Sequence, residues 1–273
     1  MASGKIRKAV IPAAGLGTRF YPLTRAQPKE MLPVLDKPII HYVVEEAVLS
    51  GLDEILIIVG AGKDSIINYF DSNKMDEKFE GHGFDLLPDI YFVRQKSQSG
   101  LGDSIRYAEK FVEEESFVVL LGDTIYRSAT SDTVTNQLLN IYKRYRKPTI
   151  AVEKVPKSKI TDYGIISGKL IEPRTWRIDS MIEKPEPALA PSDMGVTGTY
   201  ILDSEIFREI RNIKPGRNGE YQLTDALSRL CISHESIIGF EFEGTRYDIG
   251  TKELWIKAFF EFATSDERFK HLL

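Results

Sequence analysis

Through its first half the chain alternates short apolar runs with segments of helical period, and nothing else in the sequence constrains the fold so strongly. Lys8-Ala9-Val10-Ile11-Pro12, Ile55-Leu56-Ile57-Ile58-Val59, Ile90-Tyr91-Phe92-Val93 and Phe117-Val118-Val119-Leu120-Leu121 have the length and composition of strands. Helix patterns fall between them, from Ile39 to Ser50, from Lys63 to Phe70 and after Gly102. Buried strands joined by helices read as consecutive βαβ crossovers. They predict an α/β fold of three layers, a mainly parallel twisted sheet with helices on both faces. Ligands in such sheets collect beyond the carboxyl ends of the strands.

The first strand runs into Ala13-Ala14-Gly15-Leu16-Gly17-Thr18-Arg19, followed by Pro22, Thr24 and Pro28-Lys29-Glu30-Met31-Leu32-Pro33. A turn that exposes successive backbone N–H groups cradles an anion, and glycine removes the Cβ that would hold a phosphate away. Arg19 and Lys29 add fixed charge. A guanidinium fork grips two phosphate oxygens while an ammonium acts as a point charge, so the pair suits a triphosphate better than a single carboxylate. A dinucleotide fingerprint is excluded, because Phe20 stands where its third glycine belongs and Pro22 interrupts an early helix. No P-loop string occurs in the chain. Two glycines alone would merely shape a strand-exit turn; Thr18-Arg19 and Pro28-Lys29 favour the phosphate reading.

A chain of 273 residues with net charge -4 can bury a substantial core, but it has no footprint for nucleic acid or an anionic membrane. An anionic ligand must therefore meet a locally basic site. No run approaches membrane-spanning length, and the basic residues Lys5, Arg7 and Lys8 lead into a strand rather than a signal-type apolar stretch. The single cysteine, Cys231, sits in the apolar pattern Leu227-x-x-Leu230-Cys231, which suits core packing in a reducing compartment. These features predict a cytoplasmic protein.

The second half is more mixed. Short strands are expected near Ile150-Val152, Gly164-Ile166, Ser180-Ile182 and Thr199-Leu202, with helices near Ser204-Ile210 and Leu223-Leu230. A final strand, Ile237-Phe242, precedes a helix over Leu254-Phe262. Pro185, Pro187 and Pro191 mark a surface loop rather than a linker, so one continuous domain, residues 1–273, is expected. The polar region from Asn73 to Pro88 reads as an excursion or an oligomer contact.

Four further features carry chemistry. Asp123 follows an apolar strand and Asp248 falls in a turn before the last helix; two carboxylates beside a triphosphate would suit Mg²⁺, although an isolated Asp there is commonly a cap or turn former. Glu183-Lys184-Pro185 follows a strand and could meet a sugar phosphate, with Glu183 accepting from hydroxyls, or form an exposed ion pair. Gln95 ends the third strand ahead of Gly100-Leu101-Gly102. Its amide offers the donor and acceptor that a pyrimidine imide edge needs.

Taken together, these strings resemble the sugar-nucleotide pyrophosphorylases, and within them the bacterial-type UTP:glucose-1-phosphate uridylyltransferases. The resemblance rests on Ala14-Gly15-Leu16-Gly17-Thr18-Arg19, Pro28-Lys29-Glu30-Met31-Leu32-Pro33, Asp36-Lys37-Pro38 and Val93-Arg94-Gln95 with Gly100-Leu101-Gly102. Further on come Tyr163-Gly164, Glu183-Lys184-Pro185, Ala190-Pro191-Ser192, Gln222-Leu223-Thr224-Asp225-Ala226 and Asp248-x-Gly250, in the family's order over nearly the whole chain.

The resemblance implies a Rossmann-like αβα fold with a mixed, mainly parallel sheet, a nucleotide-binding half of about residues 1–130 and a sugar-phosphate-binding half of about 131–273. It assigns Ala14, Gly15, Gly17 and Arg19 to the nucleotide phosphates, Lys29 to charge at the α-phosphate, and Gln95 and Gly100 to the uracil. Gly164, Glu183 and Lys184 take the glucose phosphate, and Asp123 and Asp248 take Mg²⁺. It also implies a homodimer or homotetramer, for which the aromatic surplus Trp255, Phe259, Phe260 and Phe262 would serve if it is not core. Gly122-Asp123 is the pairing that the related thymidylyltransferases carry, and Thr199 replaces the family's arginine, so a dTTP-using thymidylyltransferase is the second reading. A catalytically inactive nucleotide-binding module is the third.

Overall fold

The computed structural model describes residues 5–71, 88–216, 219–233 and 236–272. The first half builds β1 (Lys8–Ala13), the two-residue strands β2 (Pro33–Val34) and β3 (Lys37–Pro38), α1 (Ile39–Leu49), β4 (Glu54–Val59) and α2 (Asp64–Tyr69). It continues with β5 (Asp89–Arg94), α3 (Leu101–Arg106), α4 (Glu109–Val112), β6 (Phe117–Leu120) and β7 (Thr124–Ser128). The second half adds α5 (Val134–Tyr145), β8 (Thr149–Lys154), β9 (Gly164–Glu172), β10 (Thr175–Glu183) and β11 (Met194–Leu202). It ends with α6 (Glu205–Asn212), α7 (Leu223–Ser233), β12 (Ile237–Glu241), β13 (Gly244–Asp248) and α8 (Lys252–Ser265).

Nine strands form one sheet in the order β5-β4-β1-β6-β11-β8-β12-β10-β9. The pairs β5–β4, β4–β1, β1–β6 and β8–β12 are parallel, while β11 and β10 run against their neighbours. The sheet is thus mixed and mainly parallel, as expected. Its unbroken apolar strands are explained by burial on both faces: Val10, Leu56, Ile58 and Val119 point into one core, and Ile11, Ile55, Ile57 and Val118 into the other. Ile105 of α3, Phe207 of α6 and Leu227 of α7 complete the first core; Val43 and Val44 of α1 with Leu138 of α5 complete the second. Each fully buried aliphatic side chain contributes about 1.5–3 kcal/mol, which is why these two cores fix the layers.

The second half departs from the sequence expectation. The strands expected near Gly164 and Ser180 are each nine residues long and pair with one another antiparallel as a hairpin. Besides the two-residue strands β2 and β3 of the first half, β7, β13 and α5 were not anticipated from the sequence. Helix α5 is capped by Thr133, whose hydroxyl accepts from Asn136 N at 3.0 Å, and it is poor in apolar residues outside its buried face. The strand at Ile237 is not the last, since β13 follows it and pairs antiparallel with β7 outside the main sheet. Asp248 is therefore the final residue of a strand, not a turn residue. The polar stretch from Asn73 lies outside the described residues as far as residue 87.

Cys231 is buried, as its apolar pattern predicts, and burial pushes its thiol up to about 12. Among the described residues, no helix is long and apolar enough to cross a membrane. The aromatic surplus of α8 divides: Phe262 packs against Tyr42 and Tyr247, Trp255 Nε1 donates to Pro33 O at 2.8 Å, and Phe260 is exposed.

Candidate active site

Two cavities meet at the carboxyl ends of β1 and β6. The larger, about 460 Å³, is lined by Ala14, Gly15, Gly17, Gln95 and Gly100. The smaller, about 290 Å³, is lined by Arg19, Gly164, Glu183, Lys184 and Asp248. Lys29 and Asp123 line both. Every residue that the resemblance assigns to substrates or metal thus lies on one cavity or the other, and Lys29 and Asp123, with Leu101 and Leu121, form the shared wall.

The turn after β1 is held from its own residues. Gly17 has φ +64°, a left-handed conformation that glycine adopts without strain, and its carbonyl accepts from Phe20 N at 2.9 Å and from Thr24 Oγ1 at 2.8 Å. Phe20, fully buried beside Leu32, Val34 and Ile39, anchors the turn, leaving Arg19 exposed on its other side. Arg19 faces the smaller cavity, whereas the glycines face the larger one.

Lys29 opens a single 3₁₀ turn behind Pro28, and its ammonium donates to Asp123 Oδ2. Burial opposes its charge, but the Asp123, Glu30 and Asp248 carboxylates outweigh that and hold the ammonium above the usual lysine range. Behind it, Glu30 and Lys63 form a buried ion pair at 2.7 Å that sequence reasoning missed. Burial pushes Glu30 up and Lys63 down, each restrained by the other's charge.

Register brings the two acids together. Asp123 immediately precedes β7, Asp248 pairs with Thr124, and Ile249 N donates to Asp123 O at 2.9 Å. Asp248 Oδ2 accepts from Tyr163 Oη and from Arg246 Nη1, both at 3.1 Å. The Arg246 side chain is buried; its Nε donates to Glu153 Oε1 at 2.9 Å, and its guanidinium carbon lies 4.9 Å from the Tyr163 ring centre. Its pKa is raised, burial notwithstanding, by Glu153 and Asp248. Arg246 and Glu153 were also missed, although the strand alternation Arg246-x-Asp248 puts both side chains on one face. Among the described residues no cluster of three His, Cys, Asp or Glu could hold a metal. Two hard carboxylates on one cavity nonetheless fit a divalent ion that takes its remaining oxygens from phosphate and water.

At the far end of the smaller cavity Glu183 pairs in register with Gly164. Glu183 Oε2 accepts from Thr224 Oγ1 at 2.5 Å, and a Cβ on Gly164 would come within 3.2 Å of that same oxygen. Lys184 has φ +45°, its amide donates to Tyr163 O at 3.0 Å, and its half-exposed ammonium lies 3.3 Å from Glu183.

In the larger cavity Gly100 has φ +101°, and a Cβ there would lie 2.7 Å from Tyr221 O. The strap through Tyr221, which also accepts from Gly102 N at 2.9 Å, thus closes over the glycine turn. Gln95 is buried and its amide donates to Asp103 Oδ2 at 2.8 Å; Ser104 lines the same cavity, its buried hydroxyl without a hydrogen-bond partner among the described residues. The two sequence departures have local reasons. Gly122 N donates to Pro12 O at 3.2 Å where a Cβ would sit 3.0 Å from that oxygen, and buried Thr199 donates to Tyr126 Oη at 3.1 Å.

A glycine turn at the carboxyl end of a mainly parallel sheet, beside a cavity lined by cations and carboxylates alike, has the layout of a group-transfer site for phosphorylated substrates. The chain belongs to the nucleotidyl transferase family, whose sequence profile matches residues 8–265. It is 42% identical over 277 residues to a UTP–glucose-1-phosphate uridylyltransferase of Staphylococcus haemolyticus, covering 97% of this chain and 95% of that one. It is also similar to a crystal structure of UDP-glucose pyrophosphorylase complexed with UDP-glucose, with TM-score 0.90, 37% identity and coverage of 96% and 100% of the two chains. A UTP-bound UGPase from Acinetobacter baumannii gives TM-score 0.86 at 32% identity, over 98% of this chain and 97% of that one. A Bacillus anthracis structure provisionally described as a glucose-1-phosphate thymidylyltransferase is more distant, with TM-score 0.74 at 25% identity over 93% and 94%.

Proposed function

We propose that the chain is a UTP:glucose-1-phosphate uridylyltransferase. An oxygen of the sugar phosphate attacks the α-phosphorus of UTP in line, the bond to the bridging oxygen breaks, and pyrophosphate leaves as UDP-glucose forms. The observation that carries this reading is the wall shared by the two cavities. Lys29 and Asp123 stand where a nucleotide in one and a sugar phosphate in the other would meet.

The attacking phosphate has a second pKa of about 6, so it is ionised at neutral pH and needs no general base. Repulsion between anions is the obstacle, and positioning with neutralisation is the remedy. Ala14, Gly15 and Gly17 present backbone to the triphosphate; Arg19 and Lys29 carry positive charge to the reacting phosphates. Gln95 and Gly100 seat the base, while Gly164, Glu183 and Lys184 seat the sugar phosphate. Asp123 and Asp248 would hold Mg²⁺, which when bound acts as a Lewis acid on the phosphate oxygens. A cytoplasmic homodimer or homotetramer remains the expected setting, with exposed Ile256 and Phe260 of α8 as the face to test.

Pyrophosphate release across a matrix of nucleoside triphosphates and sugar phosphates tests the proposal. UTP with glucose-1-phosphate should give the highest Mg²⁺-dependent rate, and dTTP a markedly lower one. Silence with every pair would leave an inactive nucleotide-binding module.

A further inference from the structure

The larger cavity contains an arrangement that fixes which way round the Gln95 amide faces. Gln95 and Asp103 are each 4% exposed, and Gln95 Nε2 donates to Asp103 Oδ2 at 2.8 Å. The other carboxylate oxygen, Oδ1, accepts from Arg106 Nη2 at 2.6 Å. A carboxylate in an ion pair can only accept, so the amide must turn its NH₂ toward Asp103. Rotating it by half a turn would set two acceptors against each other in a buried site, with no proton between them. Gln95 Oε1, with no hydrogen-bond partner among the described residues, is left for the cavity that Gln95 lines.

We infer that Asp103 is a positioning residue for base selection, acting through Gln95 to favour a pyrimidine with an imide edge over cytosine. The inference rests on the uridylyltransferase reading above. The locked amide offers an acceptor, Oε1, beside the second N–H of Nε2. Uracil answers with the N3–H donor beside a carbonyl acceptor. Cytosine presents the reverse order, a ring-nitrogen acceptor beside an amino donor, so both contacts fail. Thymine shares the imide edge, and the lock therefore does not separate UTP from dTTP.

Asp103→Asn tests this because Arg106 dictates the outcome. A guanidinium only donates, so it takes the asparagine oxygen and turns the asparagine amino group toward Gln95. Gln95 must then rotate to meet it with Oε1, which reverses the order shown to the cavity. Wild type should prefer UTP over CTP by at least ~100-fold in kcat/KM, and D103N should lower that preference at least ~10-fold, chiefly through KM for UTP. D103E, which keeps the carboxylate, should retain it. An unchanged UTP/CTP ratio in folded D103N overturns the inference, since a purely structural role would depress both nucleotides alike. If D103N does not fold, wild type with N3-methyl-UTP decides: removing the imide donor should cost at least ~10-fold in kcat/KM, and undiminished use overturns the inference. Equilibrium binding of UTP and CTP reads the same preference without turnover. A wild type that binds UTP over CTP yet releases no pyrophosphate overturns the assigned reaction and leaves the lock standing.

Discussion

The Lys29 ammonium donates to Asp123 Oδ2, and this pair, with Leu101 and Leu121, forms the wall between the two cavities. It joins the glycine-turn side of the site, from residues just after β1, to the acid that precedes β7. In the proposed reaction, a cation placed there would meet phosphate charge from both sides.

Lys29→Ala should therefore lower kcat by about 10²–10³-fold, the scale of losing one preorganised electrostatic contact at the reacting centre. The fold should survive, because Lys29 lies in a short turn while the buried Glu30–Lys63 pair beside it is untouched. Pyrophosphate release together with a thermal melt checks this; near-normal turnover would remove Lys29 from the reaction.

Arg246→Met should destabilise the protein by about 3 kcal/mol, since removing one partner strands the carboxylates it pairs. The side chain is 6% exposed and holds both Glu153 and Asp248. Urea denaturation reads the stability, and a Mg²⁺ titration of activity should show a raised midpoint because Asp248 loses a hydrogen-bond partner. A variant as stable as wild type would mean that the pair contributes no net stability.

Gly100→Ala should raise KM for UTP at least ~10-fold, with a smaller effect on KM for glucose-1-phosphate. The residue is at φ +101° and a Cβ would meet Tyr221 O at 2.7 Å, so the strap must shift outward. Equal effects on both substrates would indicate general loosening instead.

Cys231 gives a pH-dependent test of the core. Its folded pKa is raised, from 9.0 to about 12, chiefly by burial. The unfolded chain thus loses the thiol proton first, and the stability this group contributes is present below pH 9 and falls as pH rises toward 12, by at most about 1.4 kcal/mol per unit. Urea denaturation at pH 8 and pH 10 should show wild type losing more stability than Cys231→Ala over that interval. Parallel losses would place the thiol in a wetter environment.

How much of the site was legible depended on how local its signals are. Gly15, Gly17, Arg19 and Lys29 lie close together in sequence, and a glycine turn behind an apolar strand carries its meaning there. Arg246 and Glu153 gave no such signal. They meet only because β13 and β8 place them together, and each alone reads as an ordinary surface charge. The same holds for Asp103, whose meaning comes from the Gln95 amide eight residues earlier. Strands β7 and β13 escaped because they are five residues each and mix polar with apolar residues, whereas α5 does carry a helical apolar face, Val134, Leu138 and Leu139, which was overlooked in a segment otherwise rich in polar residues.

The sequence by itself determined the layered α/β class, because strands buried on both faces must be continuously apolar and the helices between them must cross over. It also made the residues proposed for anion binding legible, since glycines and fixed cations stand close together behind the first strand. Only the tertiary structure decided that these residues divide between two cavities with Lys29 and Asp123 on their common wall. It also decided that Asp248 sits beside Asp123 through the pairing of β13 with β7. Pairing of distant strands sets such proximities, and it depends on register and packing across the whole chain rather than on any local pattern.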